Sequence, residues 1–326
     1  MELRRVQCTK SGTYFVSLPK YWAKKVGLEK SDVLAISESS EGQLCLNPSY
    51  DLEREPLSTI IKPSAYLGRE IVGKYLLGYD EICVKAKDTI SPQERVLVKQ
   101  TSTRLIGLEI VEEDFTRIVL QCLLEPAASS PRKILRREYN IAAGMHRDAI
   151  SAFLASDMNL AQNVIARDVE VNRFYFLLVR TLRTMIQNPN LGEKLNIRSI
   201  DCLDYRLCAS LVETIGDRAV VIANKALALK DIKISREISQ LVGTFHSMIF
   251  KNQEKALKAF FEHDVALAEE VRRDRLNVGN TFDDIESAVK EQAGKIVPII
   301  LTAMTSLYQV FGHSLDIADL VMPKID

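Results

Sequence analysis

The sequence predicts a multidomain α+β protein, and three changes of pattern along its 326 residues support this prediction. Residues 1–48 have the pattern of two short β-hairpins around one brief helix, and residues 52–126 alternate strands with helices. Residues 134–326 have the pattern of amphipathic helices throughout. We therefore expect an N-terminal β domain, a small α/β module and a C-terminal all-α bundle, because a chain of this length is long enough for two or three domains.

The N-terminal segment is basic, although the whole chain has 43 basic and 43 acidic side chains. Strands are predicted at residues 3–8 and 13–18, around a turn at Lys10-Ser11-Gly12, followed by a helix from Pro19 to Gly27. A second hairpin is predicted around Glu41-Gly42. A unit this small can bury little core alone, so we expect it to pair with a second copy.

This segment resembles the SpoVT-AbrB swapped-hairpin domain through the run RRVQCTKSGTYFVSLPKYWAKKVGLEKSDVLAI. The resemblance implies a homodimer of interlaced hairpins that binds DNA phosphates through basic residues. The matching positions are Arg4, Arg5 and Lys10, with Lys20 and Lys24 in addition. Phosphate neutralisation by such residues supplies sequence-independent affinity. The alternative is a solvated edge that protects exposed strands in a domain that only dimerises.

Residues 52–126 predict a small α/β module that ends in an antiparallel pair of strands. Ser91-Pro92 with Glu94 predicts a capped helix start. We find no phosphate loop, nucleophile signature or metal-ligand spacing here, and the choice between ligand sensing and spacing stays open. The run Glu125–Lys133 is predicted to be a linker.

The helical region is predicted to break at residues 188–192, at Asp231 and at Gly279-Asn280. It also contains an internal similarity: the sequence from Ala155 aligns without gaps with the sequence from Glu262, which pairs Asp157 with Asp264. A second alignment pairs the run from Ser210 with the run from Ser306. The apolar run 296–315 is expected to be a buried helix, without stable membrane insertion.

Two carboxylates, Glu213 and Asp217, lie one helical turn apart beside the apolar stripe that includes Ile215 and Ala219. Like charges near an interior need a cation, a proton or a tilt towards water, and the tilt is the simplest alternative. The segment ETIGDRAVVIA, with the two alignments, resembles the PhoU family of phosphate-signalling proteins. That resemblance implies a bundle of two three-helix repeats, each with two acidic motifs that converge on metal ions.

By this resemblance the first repeat offers Asp168, Asn172, Glu213 and Asp217 as metal ligands. An all-oxygen set of this kind suits Mg²⁺, Mn²⁺, Ca²⁺ or ferric iron, although Asn172 replaces an acid of the family pattern. Arg167 or Arg173 could instead pair with Asp168 at the surface. The second repeat has no carboxylate at the four corresponding positions, which are Arg275, Gly279, Gln309 and His313, so a metal is expected in the first repeat only. A one-residue shift of the alignment after Val271 would instead bring Asp274 opposite Asp168, and the acids of the second motif would be missing in either alignment.

The remaining features predict a cytoplasmic regulator rather than an enzyme. The N-terminus has no apolar signal region, the six cysteines are scattered without a CxxC pair, and the four histidines lack partner acids in catalytic spacing. Both resemblances together imply a DNA-binding regulator of phosphate uptake, with the bundle as its sensor. The alternative is an adaptor that docks on a phosphate transporter or sensor kinase and uses its N-terminal domain only to dimerise.

Overall fold

The computed structural model describes residues 2–38, 42–48, 56–125, 130–195, 197–230, 232, 234–292, 294 and 296–323. The chain forms two compact units, Met1–Glu55 and Pro56–Asp326. The second unit contains both the α/β module and the helical bundle. The predicted breaks and boundaries at Glu41, residue 52, residue 126, Asp231 and residue 326 lie outside the described residues.

The first unit consists of two hairpins and one helix, in the predicted order. Strands β1 (Gln7–Cys8) and β2 (Tyr14–Phe15) pair antiparallel, helix α1 spans Lys20–Lys25, and β3 (Ala35–Glu38) pairs antiparallel with β4 (Leu44–Asn47). The first two strands are shorter than predicted, because residues 3–6 and 16–18 pair with no strand in the part of the chain that is described. Gly12 closes the first turn with φ +87°, a left-handed conformation that favours glycine.

The α/β module has the predicted sequence of elements. These are β5 (Ser58–Ile61), α2 (Leu67–Leu76), β6 (Glu81–Lys85), α3 (Pro92–Ser102), β7 (Leu108–Glu113) and β8 (Arg117–Cys122). The sheet order is β5-β6-β8-β7, in which β5 and β6 are parallel and the other pairs are antiparallel. The predicted helix start at Ser91 is confirmed, since Ser91 and Glu94 form a reciprocal capping box.

The second unit continues with eight helices in the part of the chain that is described. They are α4 (Pro131–Ala155), α5 (Met158–Gln187), α6 (Pro189–Leu195), α7 (Asp201–Leu229), α8 (Arg236–Glu262), α9 (Val265–Arg273), α10 (Arg275–Lys290) and α11 (Ile296–Asp319). The aligned residues Asp157 and Asp264 have the same role, because each caps its helix by accepting a hydrogen bond from the backbone three residues later.

Two predicted boundaries in this region are wrong. Helix α4 already begins at Pro131, so the linker predicted to reach Lys133 ends earlier, with proline at the first helical position. Helix α10 runs through Gly279-Asn280, and the interruption lies at Asp274 instead. The helix continues because Val278, Ile285 and Val289 are all fully buried, and this packing outweighs the roughly 1 kcal/mol that an interior glycine costs.

Helix α11 is long and apolar enough by length and composition to cross a membrane. In this fold it packs against α7 and α8, with Ile300, Leu307 and Phe311 in the common core of the bundle. The apolar run 296–315 is thus a core helix here, and its hydrophobicity is used in packing.

Arg180 of α5 joins the module to the bundle. Its guanidinium donates to the carbonyl oxygens of Tyr75 and Tyr79 at 2.7 and 2.8 Å and pairs with Asp80 at 3.3 Å. It also lies over the Tyr75 ring, and Phe176 of the same helix packs against the module core. The arginine is therefore held by the last turn of α2 and the loop that follows.

Candidate functional site

The predicted acidic residues of the first repeat lie on two neighbouring helices. Helix α5 carries Asp168 and Asn172 one turn apart, and helix α7 carries Glu213 and Asp217 one turn apart. Gly216, between the two acids of α7, lies against Val171 of α5, so the helices approach closely at this level. Asp217 is exposed, and the other three side chains are half-buried. We refer to Asp168, Glu213 and Asp217 as the acidic cluster.

Electrostatic repulsion is concentrated in the acidic cluster. Burial, and then the charges of Asp217 and Asp168, raise the pKa of the Glu213 carboxyl. Burial and the charge of Asp217 likewise raise the pKa of Asp168, although the Asn172 side-chain amide donates to Asp168 at 3.0 Å and opposes this shift. A cation at this position would relieve the repulsion.

Neither Arg167 nor Arg173 of α5 forms an ion pair with the acidic cluster. Arg167 pairs with Asp148 at 2.6 Å, and Arg173 pairs with Glu170 at 3.0 Å. Neither arginine pairs with Asp168, which was the alternative to metal binding that the sequence allowed. Among the described residues, no ion pair involves a carboxylate of the acidic cluster. Over the same residues, no three His, Cys, Asp or Glu side chains converge as ligands of one ion. The cluster is a region of negative charge without an assembled inner ligand shell.

Glu138 of α4 is an acidic residue that the sequence interpretation missed. It is fully buried, and neither carboxyl oxygen has a hydrogen-bond partner among the residues that the structure describes. Burial and the charge of Glu213 raise its pKa well above the usual range, while Arg206 opposes the shift. The signal was present in the sequence, because Glu138 lies four residues from both Ile134 and Ala142 on the apolar stripe of α4.

The predicted DNA-contacting residues are all exposed in the first unit. Arg4 and Arg5 precede β1, Lys10 lies in the first turn, and Lys20 and Lys24 are one turn apart on α1. Arg4 forms an ion pair with Glu2. These positions leave the basic groups accessible to a ligand from solvent.

Large apolar side chains of the first unit are exposed as well. Leu3 is 84% exposed, and Tyr14, Val33, Ile36 and Leu44 are each more than 60% exposed. No residue described in this unit is buried. A segment with this much exposed apolar surface and no core of its own is typical of one that is completed by a partner.

Comparisons with known proteins show what the helical part of the chain is similar to. Residues 135–226 match the PhoU domain family. The crystal structure of PhoU from Pseudomonas aeruginosa superposes with a TM-score of 0.53 at 23% identity, covering 59% of this chain and 93% of that one. The phosphate transport system regulatory protein PhoU from Streptococcus pneumoniae superposes with a TM-score of 0.51 at 16% identity, covering 59% and 91%. Comparison with curated proteins gives no match.

The matched residues include α5 and most of α4 and α7, and therefore the whole acidic cluster. At these identities the two superpositions establish the fold of the bundle. The helical part of this chain is PhoU-like, with a PhoU domain at residues 135–226.

Proposed function

We propose that the protein regulates phosphate uptake, with the PhoU-like bundle as its sensor or partner-docking part. The observation that carries this proposal is the PhoU domain at residues 135–226, in a bundle whose fold is that of PhoU. One superposed structure is described as a phosphate transport system regulatory protein, and we extend that role to this chain. The role is regulatory rather than catalytic.

The first unit acts in this proposal as a DNA-binding homodimer of the SpoVT-AbrB type. Support comes from the exposed apolar side chains, which a second copy would cover, and from the exposed cations Arg5, Lys10, Lys20 and Lys24. Analytical ultracentrifugation of the full chain should show a dimer. The double substitution Ile36→Asp/Leu44→Asp should give a monomer, and a wild-type monomer at micromolar concentration would contradict the proposed pairing.

The acidic cluster acts in this proposal as a site for a hard cation such as Mg²⁺ or Mn²⁺. Its carboxylates and the Asn172 side chain are oxygen donors, and the repulsion among the acids favours positive charge. Since no three His, Cys, Asp or Glu side chains of the described residues converge on one point, an ion bound here would have to keep several of its water ligands, as Mg²⁺ usually does. When bound, the ion would supply the charge that holds α5 against α7.

The deciding experiment is binding of the full-length protein to DNA upstream of its own gene at two salt concentrations. The variant Arg4→Ala/Arg5→Ala is compared with Lys99→Ala/Arg104→Ala, which removes two exposed cations of the α/β module. We expect site-preferring binding that weakens with salt and is lost only in the first variant. Absence of binding at low salt would refute the DNA-binding role and favour the adaptor, in which the bundle docks on a transporter or sensor kinase.

A further inference from the structure

A groove between the end of α5 and the start of α7 has a volume of about 310 Å³. Val179, Leu182 and Cys202 form its floor and are at most 4% exposed. Ile186 and Leu203 form an apolar rim and are 48% and 56% exposed. The groove thus presents apolar surface at the bottom and at the edge, which is the usual character of a small-molecule site.

The polar groups of the groove are cationic or neutral. Arg183, Arg206 and the side-chain amide of Gln187 line it, and none of the described residues in its lining carries a carboxylate. Arg183 makes no ion pair with any residue in the described ranges. Arg206 lies over the Tyr175 ring with its guanidinium carbon 4.8 Å from the centroid. In a chain with balanced charge, two arginines without an acid in one groove make a local anion-attracting region.

We propose that this groove binds an organic phosphate, with the phosphate on Arg183 and Arg206 and the apolar part of the ligand on Val179, Leu182 and Cys202. Guanidinium groups donate paired hydrogen bonds that match phosphate oxygens, and they are more weakly hydrated than a lysine ammonium. The volume is near the lower end of the range of about 300–1,000 Å³ for ligand sites, which suits a ligand of nucleotide size or smaller.

Arg206 connects this groove to the buried acids. It lies seven residues before Glu213 on α7, and its charge favours the ionised forms of both Glu213 and Glu138.

The test is isothermal titration of the full-length protein with AMP, adenosine and inorganic phosphate. We expect AMP to bind at least tenfold more tightly than either adenosine or phosphate. Arg183→Gln and Arg206→Gln should each weaken AMP binding at least tenfold, whereas Arg272→Gln, which removes an ion-paired arginine of α9, should leave it unchanged. Circular dichroism establishes that each variant is folded.

Adenosine or inorganic phosphate binding as tightly as AMP would overturn the assignment of an organic phosphate. AMP binding that is unchanged in both groove variants, or absent at millimolar AMP, would overturn the site itself. Neither result depends on DNA or on a transport partner, so the groove and the proposed regulatory role stand or fall separately.

Discussion

Replacing Arg180 with methionine tests whether the α/β module and the bundle are held together by one buried guanidinium. The side chain is 8% exposed, donates to two backbone carbonyl oxygens and pairs with Asp80. Methionine keeps an unbranched apolar stem against Tyr75 but removes every donor. The two carbonyls lose a charged partner, and Asp80 keeps its hydrogen bond from the Leu57 amide.

The expected loss follows from these contacts. Breaking a buried ion pair by removing one partner costs about 3–5 kcal/mol of unfolding free energy. Asp80 is 25% exposed and partly solvated, so we expect a value near the low end, about 3 kcal/mol. For a unit of this size, at about 2 °C per kcal/mol, the melting temperature should fall by roughly 6 °C.

Urea unfolding followed by circular dichroism measures this change, with Arg183→Met as the control on the same helix. Arg183 is exposed and without an ion pair in the part of the chain described, so its replacement should cost less than about 0.5 kcal/mol. The reasoning would be refuted if the unfolding free energy of Arg180→Met were within about 1 kcal/mol of the wild-type value, with the same dependence on urea concentration. Removing one partner of a buried ion pair is expected to cost far more than that.

Three further variants test other parts of the fold. Ser91→Ala should lower the unfolding free energy by about 1 kcal/mol by removing the capping box of α3, and an unchanged urea midpoint would contradict that role. Burial lowers the pKa of His146 to about 3 and that of His246 to about 4. In the unfolded chain these histidines bind protons near pH 6.5, whereas in the folded protein they stay neutral to a much lower pH. The unfolding free energy should therefore be highest above pH 6.5 and should fall as the pH decreases towards 4. The urea midpoints of unfolding at pH 7.5 and 5.0 measure this pH dependence. If the same difference between the two midpoints persists in the His146→Gln/His246→Gln variant, groups other than these histidines cause it. Glu213→Gln should raise the melting temperature in metal-free buffer at pH 7, since it removes a repelled charge, and should abolish any increase caused by Mn²⁺; a lower melting temperature in metal-free buffer would contradict the repulsion.

The sequence predicted the module and the bundle well where local patterns and packing agree. The helix start at Ser91 and the buried stripe through Ile215 and Ala219 both follow from spacing alone. The prediction failed at Gly279, where a local helix-breaking residue lies between buried Val278 and Ile285. Tertiary packing decides such positions, and a single sequence does not contain it.

The site was only partly predictable, for a related reason. The spacing of Glu213 and Asp217 could be read directly, and the PhoU resemblance added Asp168 and Asn172. What the sequence could not supply is how far apart the carboxylates of different helices lie, and the described residues assemble no direct ligand set. The junction at Arg180 was also not predicted, because its partners are about a hundred residues earlier in the chain.

Helix α5 brings these features together along one rigid element. Asp168 and Arg180 are twelve residues apart, or about 18 Å along a helix, so the acidic cluster and the module junction lie more than three turns apart. Val179 and Arg183 of the groove lie beside Arg180, and Phe176 reaches the module core one turn earlier. An ion that drew α5 towards α7 would therefore also change the position of the groove and of the helix that holds the module. This geometry offers a route from a binding event in the bundle to the α/β module of the second unit. The Arg180→Met variant separates the binding event from its transmission. It should keep any stabilisation of the bundle by a metal ion, but the metal should no longer change hydrogen exchange in α2.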